Sequence, residues 1–114
     1  MTLVVEVAER KEFVELVKAY ISEMRMETVL FWRVSKREEG EEEVEVLYIV
    51  PFYPADVDWV IWRYREKIRA PANVSDDELN ALATTAVETM LKDIGVSRAV
   101  RIRSMTVDGE NIGK

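Results

Sequence analysis

Cysteine, histidine and glutamine are all absent from this 114-residue chain. Without cysteine the chain can form neither disulfides nor thiolate metal sites. Without histidine it lacks the commonest general base and the commonest metal ligand of proteins. Its four glycines are too scattered to build a dinucleotide-binding turn or a phosphate loop. We therefore expect a protein that is not an enzyme and that needs neither a cofactor nor a metal ion.

Long apolar runs are also absent. No stretch approaches the ~18 residues of a membrane-spanning helix, and the first residues lack the basic region of a signal peptide. We expect no membrane association and a cytoplasmic location. A composition of 48% hydrophobic and 33% charged residues is typical of one folded domain, here 1–114. Abundant Glu, Lys and Arg without Cys or Gln is typical of thermophilic proteins.

The net charge of −6 is distributed unevenly along the sequence. A glutamate-rich segment surrounds Gly40 and consists of Glu38, Glu39, Glu41, Glu42, Glu43 and Glu45. Basic residues gather in three other segments: Arg33 to Arg37, Arg63 to Arg69, and Arg98 to Arg103. A local basic cleft is therefore compatible with an acidic chain. The glutamate-rich segment lacks calcium-loop spacing, and we interpret it as a soluble hairpin tip.

Apolar periodicity predicts the secondary structure of the first half of the chain. Alternation predicts a strand over 3–7, and helical spacing predicts a helix over 9–26. Two strands, 28–37 and 43–50, are predicted on either side of Gly40. Symmetric pairing about Gly40 assigns each face of this hairpin. One face carries Leu30, Trp32, Val34, Val46, Tyr48 and Val50, and the other carries Phe31, Arg33, Leu47 and Ile49.

The second half is predicted to contain two helices and a strand. A helix over 56–69 follows Pro51 and Pro54, and another begins at a capping box of Ser75 and Glu78 and ends at Gly95. The acids Asp76 to Glu78 fit the helix dipole without a metal ion. A final strand alternates Val100 and Ile102 with Arg101 and Arg103, and we expect 108–114 to be an irregular tail. The expected fold is α+β, with a small antiparallel sheet packed with about three helices in the order β-α-β-β-α-α-β.

The predicted helix over 56–69 carries the most unusual side chains. Its aliphatic stripe would face the core, and on the opposite side it would present Trp59 and Trp62 beside Arg63 and Arg69. Exposed aromatic surface of this size usually serves recognition. The alternative is burial of both indoles under another helix or in a dimer interface. We expect Trp32 to lie in the core, because the other residues on the same face of its strand are aliphatic.

Aromatic platforms with nearby cations are typical of proteins that bind single-stranded nucleic acid. We therefore expect sequence-tolerant binding of single-stranded DNA, with bases stacked on Trp59 and Trp62. Phosphates would contact arginines: Arg33, Arg63, Arg65, Arg69, Arg101 and Arg103. RNA in place of DNA stays open. The alternative is a non-enzymatic protein interaction or homodimerisation module that uses the same Trp pair, since Trp and Arg also anchor protein interfaces.

The arrangement of Trp32, Trp59, Trp62 and the Arg63 to Arg65 run resembles the ThermoDBP family of single-stranded-DNA-binding proteins from hyperthermophilic archaea. The resemblance covers most of residues 1 to 110. It implies a small antiparallel sheet with helices and an aromatic cleft bordered by basic residues. It assigns stacking to Trp59 and Trp62 and backbone contacts to Arg63 and Arg65, with Trp32 as a further member. The zipper-like C-terminal helix of that family has no heptad counterpart before Lys114, so the oligomeric state stays open.

Overall fold

The computed structural model describes residues 3–24, 28–35, 40, 42–52, 60–96, 98–102, 105–107 and 110–112. Within this part of the chain there are two α-helices and seven strands. The helices are α1 (Arg10–Met24) and α2 (Asp76–Ile94). The strands are β1 (Leu3–Val7), β2 (Leu30–Val34), β3 (Glu43–Phe52), β4 (Val60–Arg69), β5 (Ala99–Arg101), β6 (Met105–Val107) and β7 (Glu110–Ile112). The chain is therefore α+β, as predicted.

Five strands form one sheet in the order β1-β4-β3-β2-β5. β3 and β4 pair antiparallel over all ten residues of each, from Glu43 opposite Arg69 to Phe52 opposite Val60. β1 lies parallel to β4, and β5 lies parallel to β2. The sheet is therefore mixed, and the prediction of a purely antiparallel sheet is wrong. Both parallel pairs join strands separated by a helix in the sequence, as parallel pairing requires a long crossover connection.

The structure confirms the hairpin predicted about Gly40, both in its residue pairs and in the residues that share each face. Val34 lies opposite Val46 and Trp32 lies opposite Tyr48. Gly40 has φ 83°, a left-handed conformation that glycine adopts without strain. The strands differ from the predicted bounds mainly at their ends. β2 is shorter than predicted and β3 continues to Phe52 despite Pro51.

The predicted helix over 56–69 is wrong from residue 60 onwards, because Val60–Arg69 forms strand β4 inside the sheet, and its first residues, 56–59, lie outside the described part of the chain. Its sequence is rich in β-branched and aromatic residues, which favour strands. It pairs with β3 along one edge and with β1 along the other, and it carries apolar residues on both faces. Ile61 on one face and Tyr64 on the other combine into a spacing that imitates a helix. The described helices are two, and the order becomes β-α-β-β-β-α-β-β-β.

Helix α2 begins and ends as predicted. The Ser75 side chain accepts a hydrogen bond from the Glu78 backbone N–H at 3.2 Å, which caps the first turn. Gly95 ends the helix with φ 75°, and its N–H donates to the carbonyl of Leu91. Ala83, Val87, Met90 and Ile94 face the core. Leu82 is exposed.

The main core lies between the sheet and the two helices. Phe13 and Val17 of α1 contact the same cluster as Met90 of α2, and β2, β3 and β4 contribute their alternate residues. Phe13 stacks on Tyr64 with ring centroids 5.5 Å apart, and Tyr64 stacks on Tyr48 at 6.2 Å. This aromatic stack joins α1 to the two central strands. We call this side of the sheet the helix face.

The prediction of an irregular tail over 108–114 is wrong for part of that segment. Glu110–Ile112 is strand β7, which pairs antiparallel with β6 (Met105–Val107) in a separate two-stranded sheet. The Asp108-Gly109 turn signal falls between these strands but lies outside the described residues. Neither described helix is long and apolar enough to cross a membrane.

Candidate nucleic-acid interface

Strand β4 sends its side chains alternately to the two faces of the sheet, as every strand does. Trp62 and Tyr64 join the main core on the helix face, whereas Ile61 joins a second apolar cluster. Arg63, Arg65, Lys67 and Arg69 share the strand parity of Ile61. They therefore lie on the face opposite α1 and α2. We call this side of the sheet the distal face.

The centre of the distal face is apolar. Leu47, Ile49 and Ile61 are buried there, and three partly buried residues pack against them: Val4, Phe31 and Ile102. Phe31 of β2 lies opposite Ile49 of β3. Phe31 is therefore the aromatic residue of this cluster among the described residues. It is only partly buried, so part of this residue is accessible.

Cations border this apolar centre. Successive residues of like parity in a strand lie about 6.6–6.8 Å apart, which sets the spacing of Arg63, Arg65, Lys67 and Arg69 along β4. Residues 65, 67 and 69 are exposed. Across the sheet, Leu47 lies opposite both Arg65 and Arg33, so a cation flanks this leucine on each side. We call Arg33, Arg63, Arg65, Lys67 and Arg69 the cationic row.

Glutamates of β1 and β3 partly neutralise the cationic row. Glu6 of β1 accepts a hydrogen bond from Arg63 Nε at 2.6 Å and also contacts Nη1 of Arg65. Arg65 Nε lies 3.3 Å from Glu45 Oε1. The Arg63 side chain is only 15% exposed, whereas that of Arg65 is 42% exposed. Arg63 is therefore mainly a positioned partner of Glu6, and Arg65 is the more accessible of the two.

Helix α2, on the other side of the sheet, carries the opposite charge. Helix α2 has a single lysine, Lys92, against five acids: Asp76, Asp77, Glu78, Glu88 and Asp93. Near its last turn, Asp93 accepts a hydrogen bond from Arg10 Nη2 at 2.6 Å, and Glu66 of β4 bonds to Arg10 Nη1. Cations therefore collect on the distal face, while acids collect on α2.

The aromatic stack of the helix face encloses a polar atom. The Tyr48 hydroxyl is the one buried side-chain polar atom without a hydrogen-bond partner in the part of the chain that the structure describes. Burial raises the pKa of Tyr48 far above its ordinary value, and the nearby Glu66 carboxylate raises it further. Burial and Glu66 also raise the pKa of Tyr64. Both tyrosines belong to the main core.

The predicted Trp62 and Arg63 surface is not formed, because neighbouring residues of a strand face opposite sides. Trp62 is half-buried on the helix face and packs edge-on against Tyr20, with ring centroids 5.8 Å apart. Trp32 is buried in the main core, as expected. Trp59 and Arg103 lie outside the described residues, so their predicted roles stay predictions.

The predicted arginines separate into two groups. The distal face brings together Arg33, Arg63, Arg65 and Arg69. Arg101 has the opposite parity, because it lies beside Trp32 in the β2–β5 register. Its guanidinium lies 5.3 Å from the centroid of the Trp32 ring. Arg101 therefore lies on the helix side of the sheet, apart from the other predicted arginines that the structure describes.

Three residues of the distal face were missed by sequence reasoning: Phe31 as an accessible ring, Glu6 as the partner of Arg63, and Lys67. The signal for Lys67 was the alternation of charge through Arg63, Arg65 and Lys67, which a helical interpretation hides. The pairing of β1 with β4 left no comparable signal.

No cluster of three or more acidic residues able to hold a metal ion occurs among the described residues. Comparison with protein-family models, curated proteins and solved structures gave no match to this chain. The function must therefore be argued from the geometry of the distal face.

Proposed function

We propose that the chain binds single-stranded DNA, with little sequence preference, across the distal face of its sheet. The observation that supports this most directly is the cationic row, which follows β4 and has one further member on β2, beside an apolar centre that includes the partly buried Phe31. The chain would act as a binding protein and not as an enzyme.

The spacing of the row suits an extended phosphate backbone. Cations about 6.6–6.8 Å apart along β4 match, in order of magnitude, the repeat of successive phosphates in an extended strand. Phosphate contacts position a nucleic acid without reading its sequence. Lys67 and Arg69 would contact phosphates directly because they are exposed. Arg65 would do so in competition with Glu6 and Glu45.

The apolar centre supplies surface for bases. Phe31 is the ring on which a base would stack, since any base can stack on an aromatic side chain. Trp59, which directly precedes β4, keeps its predicted stacking role. Trp62 has no part in this interface, because it packs on the helix face. Duplex DNA fits less well, because duplex affinity needs many phosphate contacts and buried bases cannot stack on Phe31.

The experiment is a fluorescence-anisotropy titration of a labelled mixed-sequence oligodeoxynucleotide at two salt concentrations. Lys67→Gln is compared with Lys18→Gln, because both lysines are exposed but Lys18 belongs to α1. We expect Lys67→Gln to weaken binding and to reduce the slope of log affinity against log salt by roughly 0.7. Lys18→Gln should leave both quantities unchanged.

Duplex DNA and single-stranded RNA of the same sequence serve as further ligands. Equal losses in Lys67→Gln and Lys18→Gln would contradict the distal face as the site. Absence of oligonucleotide binding, together with a dimer by light scattering, would instead support the protein-association alternative.

A further inference from the structure

The five-stranded sheet has two outer edges, formed by β1 and β5. No described strand pairs with the outer side of either one. Alternate backbone N–H and C=O groups of an outer strand point away from the sheet, and they can bind another extended chain unless the edge is protected. The two edges differ in that protection. We call the outer side of Leu3–Val7 the β1 edge.

The edge formed by β5 is protected. This strand has only three residues, Ala99–Arg101, and it ends in an exposed arginine. Short length and charged side chains are two of the features that keep sheet edges from pairing. The Arg101 side chain is also restrained, because its Nη1 donates to Asn80 Oδ1 at 3.0 Å. β5 is therefore poorly suited to a partner strand.

The β1 edge lacks this protection. Its sequence, LVVEV, contains neither lysine nor proline. Its pairing with β4 continues without a bulge from Leu3 opposite Val60 to Val7 opposite Tyr64. Leu3 is 58% exposed, and Leu82 is the other exposed large hydrophobic residue in the part of the chain that the structure describes. A flat apolar edge of five residues is suited to pairing with another strand.

The side chains of β1 are compatible with a second β1. Leu3, Val5 and Val7 share the helix face, because Val7 belongs to the main core. Val4 and Glu6 share the distal face, where Val4 packs against the apolar centre. An antiparallel partner centred on Val5 places Leu3 opposite Val7 of the second copy and Val5 opposite its own counterpart. Every pair on the helix face is then apolar, and all five residues of each strand are paired.

The single charged residue of β1 does not oppose this pairing. In the register centred on Val5, Glu6 lies opposite Val4 of the second copy, and the two Glu6 residues are diagonal neighbours. Each carboxylate already contacts two guanidiniums of its own chain. It accepts a hydrogen bond from Arg63 Nε at 2.6 Å and contacts Nη1 of Arg65. The two negative charges are therefore compensated before the copies meet.

We propose that two copies of this chain pair through their β1 edges, antiparallel and centred on Val5, about a two-fold axis perpendicular to the sheet. The same surface is used by both copies, so the contact closes on itself and produces a dimer, not a fibre. The product is one sheet that contains the five strands of each copy. Both distal faces lie on the same side, with the two β4 strands about 14 Å apart, which is three strand spacings.

The first experiment is analytical ultracentrifugation of the full chain. A single strand pair buries less than the ~1,200 Å² of a standard stable interface, so we expect the dimer fraction to rise with concentration over roughly 1–500 µM. Leu3→Lys should raise the dissociation constant about tenfold or more, because two symmetric leucine contacts are lost and a charge enters the apolar pairs. Leu82→Lys is the matched control, since Leu82 is also exposed but lies on α2. It should leave the dissociation constant unchanged.

The second experiment is cysteine crosslinking, which has no background because the chain contains no cysteine. Val5→Cys places two thiols across the two-fold axis, where opposed Cα atoms lie about 4.5–5.5 Å apart and a disulfide can form. Leu3→Cys is the control for register, because its two Cα atoms would lie about 14 Å apart. With copper–phenanthroline in air, Val5→Cys should form a covalent dimer at least about tenfold faster than Leu3→Cys.

Three results would overturn the pairing. They are a chain that stays monomeric over the whole concentration range, equal dimerisation of Leu3→Lys and Leu82→Lys, and crosslinking of Val5→Cys no faster than that of Leu3→Cys. A monomer would leave the β1 edge to a different protein.

The two proposals can fail separately, because neither experiment uses DNA. If Val5→Cys crosslinks but no oligothymidine binds, only the distal-face proposal fails. If oligothymidine binds to a monomer in which Val5→Cys does not crosslink, only the edge pairing fails.

Discussion

The two faces of the sheet share the same strands but have opposite compositions. On the helix face, β4 contributes Trp62 and Tyr64 to a core closed by two helices. On the distal face, the same strand contributes one buried isoleucine and a series of cations. A strand needs only one well-covered face to be held in a sheet, so the other face is available for recognition. This difference separates residues that stabilise the fold from residues that we expect to bind.

The largest expected effect concerns the aromatic stack of the helix face. Phe13 has no exposed surface and contacts both Tyr48 and Tyr64. We expect Phe13→Ala to lower the free energy of unfolding by about 3–5 kcal/mol, because it removes a large buried ring and leaves a cavity. Urea unfolding followed by circular dichroism measures this loss. A loss below about 1 kcal/mol would mean that the helix face is not the principal core.

Phe31→Ala is the matched change on the distal face. Phe31 is only partly buried, so its removal should destabilise the chain less than Phe13→Ala does. It should weaken single-stranded DNA binding by about 1–3 kcal/mol, the usual contribution of one base stacked on an aromatic ring. Anisotropy titration of the folded variant checks this. Unchanged affinity would exclude Phe31 as a stacking residue.

Tyr48→Phe tests the buried hydroxyl of the helix face. A buried hydroxyl without a partner costs about 1–3 kcal/mol, so we expect the variant to be more stable by about 1 kcal/mol at neutral pH. Urea unfolding at pH 7 measures this gain. A loss of stability would show that the hydroxyl makes a favourable contact.

The same variant has a pH signature. The raised pKa of Tyr48 means that the folded state keeps the phenolic proton where an unfolded tyrosine, with a pKa of about 10, has lost it. The stability from this group is complete below about pH 10 and falls as the pH rises further, by at most about 1.4 kcal/mol per pH unit. Tyr48→Phe should therefore lose stability less steeply above pH 10. Parallel curves for the two proteins would contradict the raised pKa.

The smallest expected effect is a gain in binding. Glu6 occupies donors of both Arg63 and Arg65, so Glu6→Gln should leave these guanidiniums more available to phosphates. Exposed ion pairs contribute about 0.2–1 kcal/mol, so the affinity for single-stranded DNA should rise by up to about fivefold. Weaker binding in Glu6→Gln would show that Glu6 mainly positions Arg63 for the ligand.

The local parts of the fold could be predicted from the sequence. The glycine between β2 and β3 determined the hairpin register, and the Ser75 and Gly95 caps determined the ends of α2. These features depend on residues close together in the chain. β4 could not be predicted in this way, because its apolar residues fall on both faces and its place between β1 and β3 leaves no local signal. That place is determined by pairing with distant segments.

The candidate site shows the same division. The basic character of the segment from Arg63 to Arg69 was visible in the sequence, and so was the common face of Phe31, Arg33, Leu47 and Ile49. Whether Trp62 lies on the same side as Arg63 depends on whether this segment forms a helix or a strand. The strand separates them, so the predicted arginines stay together while the predicted aromatic partner moves to the core. The ion pairs of Glu6 became visible only once β1 was placed beside β4.

Backbone amide NMR during titration with oligothymidine tests the distal-face proposal most directly. The account predicts that the largest shift changes fall on β2 and β4, at Arg33, Phe31, Arg65, Lys67 and Arg69, and that α2 is little affected. Changes concentrated on α1 and α2, or no changes at a concentration that saturates anisotropy, would contradict binding across the distal face.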